Sequence, residues 1–167
     1  MNVGGEEKII IAFGFNEDTA SPSNTVYEYN PANNKLRILF EGSEKASESI
    51  FSFNSDTPLP RMGCAMASDD SNVYFFGGKN DNERLNDLWA FSLSDYKFKR
   101  LPDDGELPAV RNGHTMTYHD NKLYVFGGIH DITWELDDLH IYNLKTSKWT
   151  TLEQDSPRKL EKKANEK

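Results

Sequence analysis

Hydrophobic residues recur in this chain as short runs that end at glycine. Residues 123–128 have the sequence Leu-Tyr-Val-Phe-Gly-Gly, and residues 73–78, which lie 50 positions earlier, have Val-Tyr-Phe-Phe-Gly-Gly. Residues 9–14, Ile-Ile-Ile-Ala-Phe-Gly, form a weaker copy. Each run has the length of a β-strand, and a period near 50 residues is typical of proteins built from stacked supersecondary units. The pattern predicts three copies of one β-rich unit.

The copies stay in register beyond the glycines. Segments 24–31, 86–93 and 137–144 align, and each alternates apolar with polar residues, which indicates a strand with one buried face. In every copy an aromatic residue near the end of this segment is followed seven positions later by another large apolar residue. The pairs are Tyr29 and Leu36, Phe91 and Phe98, and Tyr142 and Trp149. These separate marks in one register predict antiparallel strands repeated in each copy.

A further motif precedes the glycine-ended runs, because Arg61-Met62-Gly63-Cys64 aligns with Arg111-Asn112-Gly113-His114. With these marks the chain resembles the Kelch-repeat family, whose pattern has an Arg-x-Gly-His start, a strand ending in Gly-Gly, and an aromatic residue followed by Trp. The third repeat carries the whole pattern in Arg111, Gly113, His114, Gly127, Gly128, Tyr142 and Trp149. The second repeat keeps Arg61, Gly63, Gly77 and Gly78, with Cys64 and Phe98 as departures. The first repeat has Phe15 for the second glycine, Leu36 for the Trp and no recognisable first strand.

The resemblance implies an all-β fold, a Kelch-type β-propeller in which each repeat forms one four-stranded blade. The expected Kelch segment is 1–152, with a partial first blade at 8–40, a second at 60–101 and a third at 110–152. We expect 8–14 to form a buried strand, 41–59 a long inter-blade loop, and 153–167 a charged tail or linker. Paired glycines suit a strand bend that a neighbouring backbone approaches closely. The alternative is a different all-β sandwich with a coincidental Gly-Gly pair.

About three blades do not close a propeller, which needs ~4–8. An open wedge of blades leaves apolar faces uncovered at its two ends. Three explanations are open at this point. The chain is a fragment of a longer protein, it self-associates or joins another chain to complete a ring, or a larger assembly covers the faces.

Composition narrows the class of protein. The net charge of −8 argues against nucleic acid as the main partner. The single cysteine, Cys64, rules out an intramolecular disulfide and is compatible with a reducing compartment. The N-terminal residues lack the basic and apolar regions of a secretory signal, and no apolar run reaches the ~18 residues of a membrane span. We expect a soluble cytoplasmic protein, with cytoskeletal or nuclear association left open.

The acidic residues are concentrated in the longer connections. In an up-and-down blade these connections, 15–23, 41–59, 79–86, 102–110 and 129–137, emerge at the same end. They contain 14 acidic and 3 basic residues, a net charge of −11 against −8 for the chain. An acidic surface attracts basic partners and speeds their encounter. Solubility alone would also account for charged loops.

Trp134 is the strongest candidate for a binding residue, because it lies in connection 129–137, where the repeat pattern requires no Trp. An exposed Trp beside charged residues is typical of an interface anchor. The alternative is a side chain that folds over its own blade. The predicted partner-binding set is Glu17, Asp18, Asp81, Glu83, Arg84, Asp131, Trp134 and Glu135.

The titratable residues suggest structure rather than catalysis. His114 occupies the family's histidine position, so we expect it to hydrogen bond inside the blade. Arg61 and Arg111 begin equivalent strands and either anchor the turns between blades or line a central channel. His119, His130 and His140 are scattered without the spacing of a zinc site. We therefore expect no catalytic residue, no metal and no cofactor.

The resemblance implies a non-catalytic scaffold or adaptor that binds a protein or peptide. The acidic charge of the long connections favours their face as the binding surface and a partner with a basic surface. Two alternatives remain: a structural subunit of a large complex, and a Kelch-type enzyme acting on a small molecule or sugar. A fold alone does not establish a function, so the choice depends on the site.

Overall fold

The computed structural model describes residues 2–3, 6–42 and 56–152. Most of the predicted inter-blade loop, 43–55, and the predicted tail, 153–167, lie outside the described residues. All regular secondary structure in the described ranges is β-strand. Within those ranges no helix has the length and apolar character needed to cross a membrane.

The strands form three successive blade-like sheets. A short N-terminal hairpin comes first and pairs β1 (Asn2–Val3) with β2 (Glu6–Glu7). The first sheet contains β3 (Ile9–Asn16), β4 (Ser21–Asn30) and β5 (Lys35–Phe40). The second contains β6 (Ala65–Ser68), β7 (Asn72–Phe76), β8 (Leu88–Ser92) and β9 (Phe98–Arg100). The third contains β10 (Asp104–Gly105), β11 (Thr115–His119), β12 (Lys122–Asp131), β13 (Trp134–Asn143) and β14 (Lys148–Leu152).

Neighbouring strands in each sheet follow one another along the chain and are antiparallel, except that β10 pairs with β14 in parallel. This order is the meander of a propeller blade. The all-β class and the partial, open propeller predicted from the repeat are confirmed.

In the short turns between strands, side-chain oxygens accept hydrogen bonds from backbone N–H groups in place of a backbone carbonyl. Asp69 Oδ1 accepts hydrogen bonds from the backbone N–H groups of Ser71 and Asn72, at 2.8 and 2.7 Å. Asn143 Oδ1 accepts in the same way from Lys145 at 2.9 Å and Thr146 at 3.2 Å. Asp and Asn favour such turns because their short side chains reach the backbone two or three residues ahead.

Two connections predicted as loops are largely strand. In the first sheet, pairing continues to Asn16 opposite Ser21, and in the third it continues to Asp131 opposite Trp134. The prediction of loops over 15–23 and 129–137 is therefore wrong. The physical reason is a register shift between Ala12 and Gly14 and between Phe126 and Gly128, which lets each hairpin bend and continue beyond it.

The first repeat contains a second correction. Phe13 and Gly14 have φ angles of 61° and 113°, and they occupy the positions that Gly77 and Gly78 hold with 62° and 95°. Phe13, and not Phe15, thus replaces a glycine of the pair. A left-handed conformation is costly for a bulky residue. The Phe13 ring packs edge-to-face on Phe75, with centroids 4.8 Å apart, and this contact helps to offset the cost.

Hydrophobic side chains fill the two spaces between sheets. The first cluster, between the first and second sheets, contains Val26, Val73, Phe75, Trp89, Phe91 and Phe98. The second cluster, between the second and third sheets, contains Ala65, Tyr74, Phe76, Leu88, Ala90, Met116, Leu123, Val125, Tyr142 and Trp149. Alternate residues of β7 enter opposite clusters, because successive side chains of a strand point to opposite faces.

The first sheet is covered on one face only. Ile10 and Ala12 pack against the first cluster, whereas Ile9 and Ile11 are about half exposed. The expectation that 8–14 forms a buried strand is therefore wrong for alternate residues. Among the described residues the first sheet has a neighbour on one side only. The side chains that face the second sheet are therefore covered, and those on the opposite face are exposed to solvent.

We expect Trp149→Ala to lower the free energy of unfolding by about 3–5 kcal/mol, as a large-to-small change in a packed core. Trp149 is almost completely buried, and its ring lies 5.0 Å from those of Phe76 and Tyr142. Urea unfolding followed by circular dichroism measures the change. The neighbouring exposed substitution Thr150→Ala is the control, and an unchanged midpoint for Trp149→Ala would contradict the packing described.

Candidate protein-interaction site

The long connections meet at one end of the sheets because the backbone joins them there. Gly14 N–H donates to the Arg61 carbonyl at 3.1 Å, and Gly78 N–H donates to the Arg111 carbonyl at 2.8 Å. Each bond links one sheet to the segment that opens the next. The connections before and after each glycine are thereby held side by side.

Arg61 holds the second sheet together from inside. Its side chain is completely buried, and its guanidinium donates to both carboxylate oxygens of Asp87. It also donates to the carbonyl oxygens of Gly77 at 3.0 Å and Leu59 at 2.9 Å. Trp89 Nε1 donates to Asp87 Oδ2 at 2.6 Å. The pair therefore joins the start of the blade, the glycine bend and the third strand.

Arg111 makes the same contacts in the third sheet. It donates to Asp138 Oδ1 and Oδ2 at 2.7 and 2.9 Å, and to the carbonyls of Gly127 and Ala109 at 3.0 and 3.1 Å. His140 Nε2 lies 2.8 Å from Asp138 Oδ2. Neither arginine side chain has any exposed surface, so both guanidinium groups lie inside their blades.

The arginines keep both aspartates ionised. Burial acts to raise the pKa of Asp87, but the charge and hydrogen bonds of Arg61 outweigh it and hold the pKa below its usual value. Burial also acts against the charged form of Asp138. There the hydrogen bonds from His140 and Arg111 hold the pKa of the carboxyl well below its usual range.

His114 and Cys64 are both held in their neutral forms. Burial, together with the charge of Arg111, lowers the pKa of His114 to about 4, and its ring meets the Phe76 ring with centroids 5.4 Å apart. Burial raises the pKa of the Cys64 thiol to about 11. A hydrogen-bonding role for His114 stays a prediction.

The tip of the β12–β13 hairpin presents two large apolar side chains to solvent. Trp134 is 61% exposed and Ile132 is 89% exposed. The Trp134 ring contacts that of His130 edge-to-face, with centroids 5.2 Å apart. His130 Nδ1 lies 2.9 Å from the Val110 carbonyl, in the connection between β10 and β11. Most of the indole therefore faces solvent, on a hairpin that the contact between His130 and Val110 holds against the rest of the sheet.

Arg84 joins the neighbouring connection to this hairpin. Its Nε donates to Asn112 Oδ1 at 2.9 Å, and its Nη1 lies 3.9 Å from Asp131 Oδ1. An exposed ion pair of this kind adds little stability. The contact places the Arg84 guanidinium near Asp131, which pairs with Trp134 across the hairpin.

The predicted binding residues divide into two groups. Arg84, Asp131, Trp134 and Glu135 lie at or beside the hairpin tip, and Asp81 and Glu83 are exposed on the connection that carries Arg84. Glu17 and Asp18 are exposed on the β3–β4 turn of the first sheet. None of the hydrogen bonds, ion pairs or ring contacts in the described part of the chain joins that turn to the hairpin tip.

Sequence reasoning missed Ile132, His130 and Asn112 as parts of this site. Ile132 carried a usable signal, because it is an isolated large apolar residue between turn-forming neighbours. Asn112 and His130 carried none, since their roles depend on contacts between separate repeats. We call the surface formed by Arg84, Asp131, Ile132, Trp134 and Glu135 the hairpin-tip surface.

Comparison with known proteins shows the family. A family model described as the KLHDC2/KLHL20/DRC7 Kelch-repeats domain matches residues 2–164. The chain belongs to the Kelch-repeat family.

The Kelch chain is also similar to parts of several longer proteins. It is 29% identical over 89% of its length to the Rho GTPase-activating protein gacHH of Dictyostelium discoideum, and 33% identical over 71% to human host cell factor 2. It is 30% identical over 62% to N-(sulfonatooxy)prop-2-enimidothioate sulfolyase of Thlaspi arvense. These matches cover 9%, 17% and 32% of the three proteins.

The described Kelch residues contain no group of three or more His, Cys, Asp or Glu side chains arranged to hold a metal ion. The acidic side chains nearest the hairpin-tip surface point outward, and Asp131 itself is largely exposed. What the geometry offers is an apolar pair rimmed by charge, which suits contact with another macromolecule.

We expect Asp138→Asn to lower the free energy of unfolding at pH 7 by about 3 kcal/mol, because it leaves the buried Arg111 without a counter-charge. The pKa of Asp138 is depressed in the folded state, so its contribution is fully present above the usual carboxyl pKa of ~3.9. That contribution is lost as the pH falls toward the folded-state value. Urea unfolding at pH 7, 5 and 3 should show the difference from the unsubstituted protein shrinking below about pH 4.

The matched control is Asp137→Asn, which changes the exposed neighbour. Its free energy of unfolding should follow that of the unsubstituted protein at each pH. A difference for Asp138→Asn that stays constant from pH 7 to pH 3 would contradict an ionised Asp138 paired with Arg111.

Proposed function

We propose that this Kelch segment is a non-catalytic protein-interaction module that binds a protein or peptide at the hairpin-tip surface. The observation that carries the proposal is the exposure of Trp134 and Ile132 on a braced hairpin. Large apolar side chains exposed together mark interaction sites, and Trp is among the residues that contribute most to binding energy.

The charges around the hairpin tip indicate the chemistry of the partner. Asp81, Glu83, Asp131 and Glu135 are exposed there, whereas the basic residue Arg84 is already engaged with Asn112 and Asp131. The surface therefore favours a basic partner, with at least one apolar side chain to cover the indole. Charges of this kind mainly raise the rate of association and its dependence on salt.

The supports behind the hairpin favour tight binding. His130 holds the hairpin to the Val110 carbonyl, and Ile129 of the hairpin exchanges backbone hydrogen bonds with Asn112 of the blade-opening segment. A surface that is already ordered loses less conformational entropy when a partner binds. The hairpin tip thus has the features of a preorganised anchor rather than a loop that must fold on contact.

An enzyme is the second candidate, since one relative is named a sulfolyase. The titratable groups of this chain favour binding instead. The pKa of His114 lies at about 4 and that of Cys64 at about 11, so neither group is poised for proton transfer or nucleophilic attack near neutral pH. The two aspartates with depressed pKa values, Asp87 and Asp138, are paired with buried arginines.

We expect the double substitution Trp134→Ala and Glu135→Ala to weaken partner binding at least 30-fold, since loss of an anchor residue typically costs 2 kcal/mol or more. The probe is a phage-displayed library of random peptides, selected against the whole chain. Selected peptides should combine Lys or Arg with a large apolar residue. Fluorescence anisotropy then gives their dissociation constants for both proteins.

The matched control carries Asp95→Ala and Lys97→Ala, which change exposed residues on the turn at the opposite end of the second sheet. It should bind the selected peptides normally, and all three proteins should have the same circular dichroism melt. Equal affinity of the peptides for the Trp134 and Glu135 variant would show that the hairpin tip is not the interface.

A further inference from the structure

The uncovered face of the first sheet is a continuous apolar surface. Cross-strand pairing aligns Ile9, Tyr29 and Leu36 in one row and Ile11, Tyr27 and Ile38 in the next. None of these six residues is charged. Ile9, Ile11, Leu36 and Ile38 are each between 47% and 58% exposed. We call this set the leading face.

The same repeat positions are buried in the other two sheets. Ile9 corresponds to Val73 and Leu123, Ile11 to Phe75 and Val125, and Leu36 to Phe98 and Trp149. These six counterparts are all 8% exposed or less. In each case a preceding sheet covers them. The leading face therefore has the side-chain pattern of a blade surface that receives another blade.

The third sheet presents the complementary surface at the other end of the molecule. Its uncovered face carries Tyr124, Phe126, Leu139 and Ile141, which we call the trailing face. The corresponding residues of the second sheet, Tyr74, Phe76, Leu88 and Ala90, are buried against the third sheet. Phe126 is 47% exposed, whereas Phe76 has no exposed surface.

We propose that a second copy of this chain docks head to tail, so that the trailing face of each copy covers the leading face of the other. A second copy carries both matching faces, and the contact would continue the packing already seen between the second and third sheets. Head-to-tail contacts close into a ring when the rotation between copies permits it. Two copies supply six blade-like sheets, which falls within the ~4–8 blades of closed propellers.

The interface inside the chain indicates which contacts form. Phe76 lies 5.0 Å from Trp149 between ring centroids, and Leu36 occupies the position of Trp149 in the first sheet. Phe126 of one copy should thus meet Leu36 of the other. The first sheet has three strands among the described residues, so β3, β4 and β5 carry this contact.

The test uses the whole chain and two variants, each with a charge placed on one face. Ile11→Glu alters the leading face and Phe126→Glu alters the trailing face. Lys97→Glu, on an exposed turn of the middle sheet, is the matched control. Sedimentation equilibrium from 1 to 100 µM, with circular dichroism to verify folding, gives the mass of each protein and of an equimolar mixture of the two face variants.

The proposal predicts twice the chain mass of 19.1 kDa for the unsubstituted protein and for Lys97→Glu, and the chain mass for each face variant alone. The mixture should recover a dimer, weaker than that of the unsubstituted protein, because the intact trailing face of Ile11→Glu meets the intact leading face of Phe126→Glu at one of the two contacts. A monomer at 100 µM would overturn the proposal and assign the faces to further blades, of this or of another polypeptide. A dimer that survives either single substitution would also overturn it, since a head-to-tail contact needs both faces.

Discussion

The buried pairing of arginine with aspartate is the constraint on which the arrangement of these sheets depends. Arg61 and Arg111 have no exposed side-chain surface, and a buried guanidinium is tolerated only when charge and hydrogen bonds compensate for its lost hydration. Asp87 and Asp138 supply the charge, and backbone carbonyls accept further hydrogen bonds. Each arginine therefore fixes the segment that opens a blade, the glycine bend and the strand after it in one geometry.

The same arginines set the contact between sheets. The carbonyl oxygens of Arg61 and Arg111 accept hydrogen bonds from Gly14 and Gly78 of the preceding sheet. A side chain at Gly77 would lie 2.7 Å from the Arg111 carbonyl, so the close approach requires glycine there. Asn112 follows Arg111 directly and binds Arg84. The buried pair of the third sheet thus fixes the segment that Arg84 binds beside the hairpin tip.

Much of the fold could be predicted from the sequence because a residue that recurs at the same position in several repeats indicates a structural role that one copy alone would not. The Gly-Gly pairs, the equivalent arginines and the Tyr142–Trp149 spacing appear in more than one copy, and Asp87 and Asp138 stand at matching positions as well. The alignment of residues 9–14 with 73–78 places Phe13 opposite Gly77, but the positive φ of Phe13 could not be predicted, because a bulky residue rarely adopts it without packing of the kind that Phe75 provides. The hairpin extensions were hidden because polar residues on solvated strands resemble loops. The contact of Arg84 with Asp131 joins two repeats that the pattern treats as independent.

The two kinds of exposed apolar surface in this molecule have different physical origins. The leading and trailing faces are exposed at positions that are buried wherever a further sheet is present, so they follow from the number of blades. Trp134 and Ile132 instead lie beyond the glycine bend, at the tip of the β12–β13 hairpin. Adding blades would cover the faces and leave the hairpin tip in solvent. The proposed ring closure and the proposed partner binding therefore use separate surfaces, and the blades that would close a ring need not compete with a protein bound at the hairpin tip.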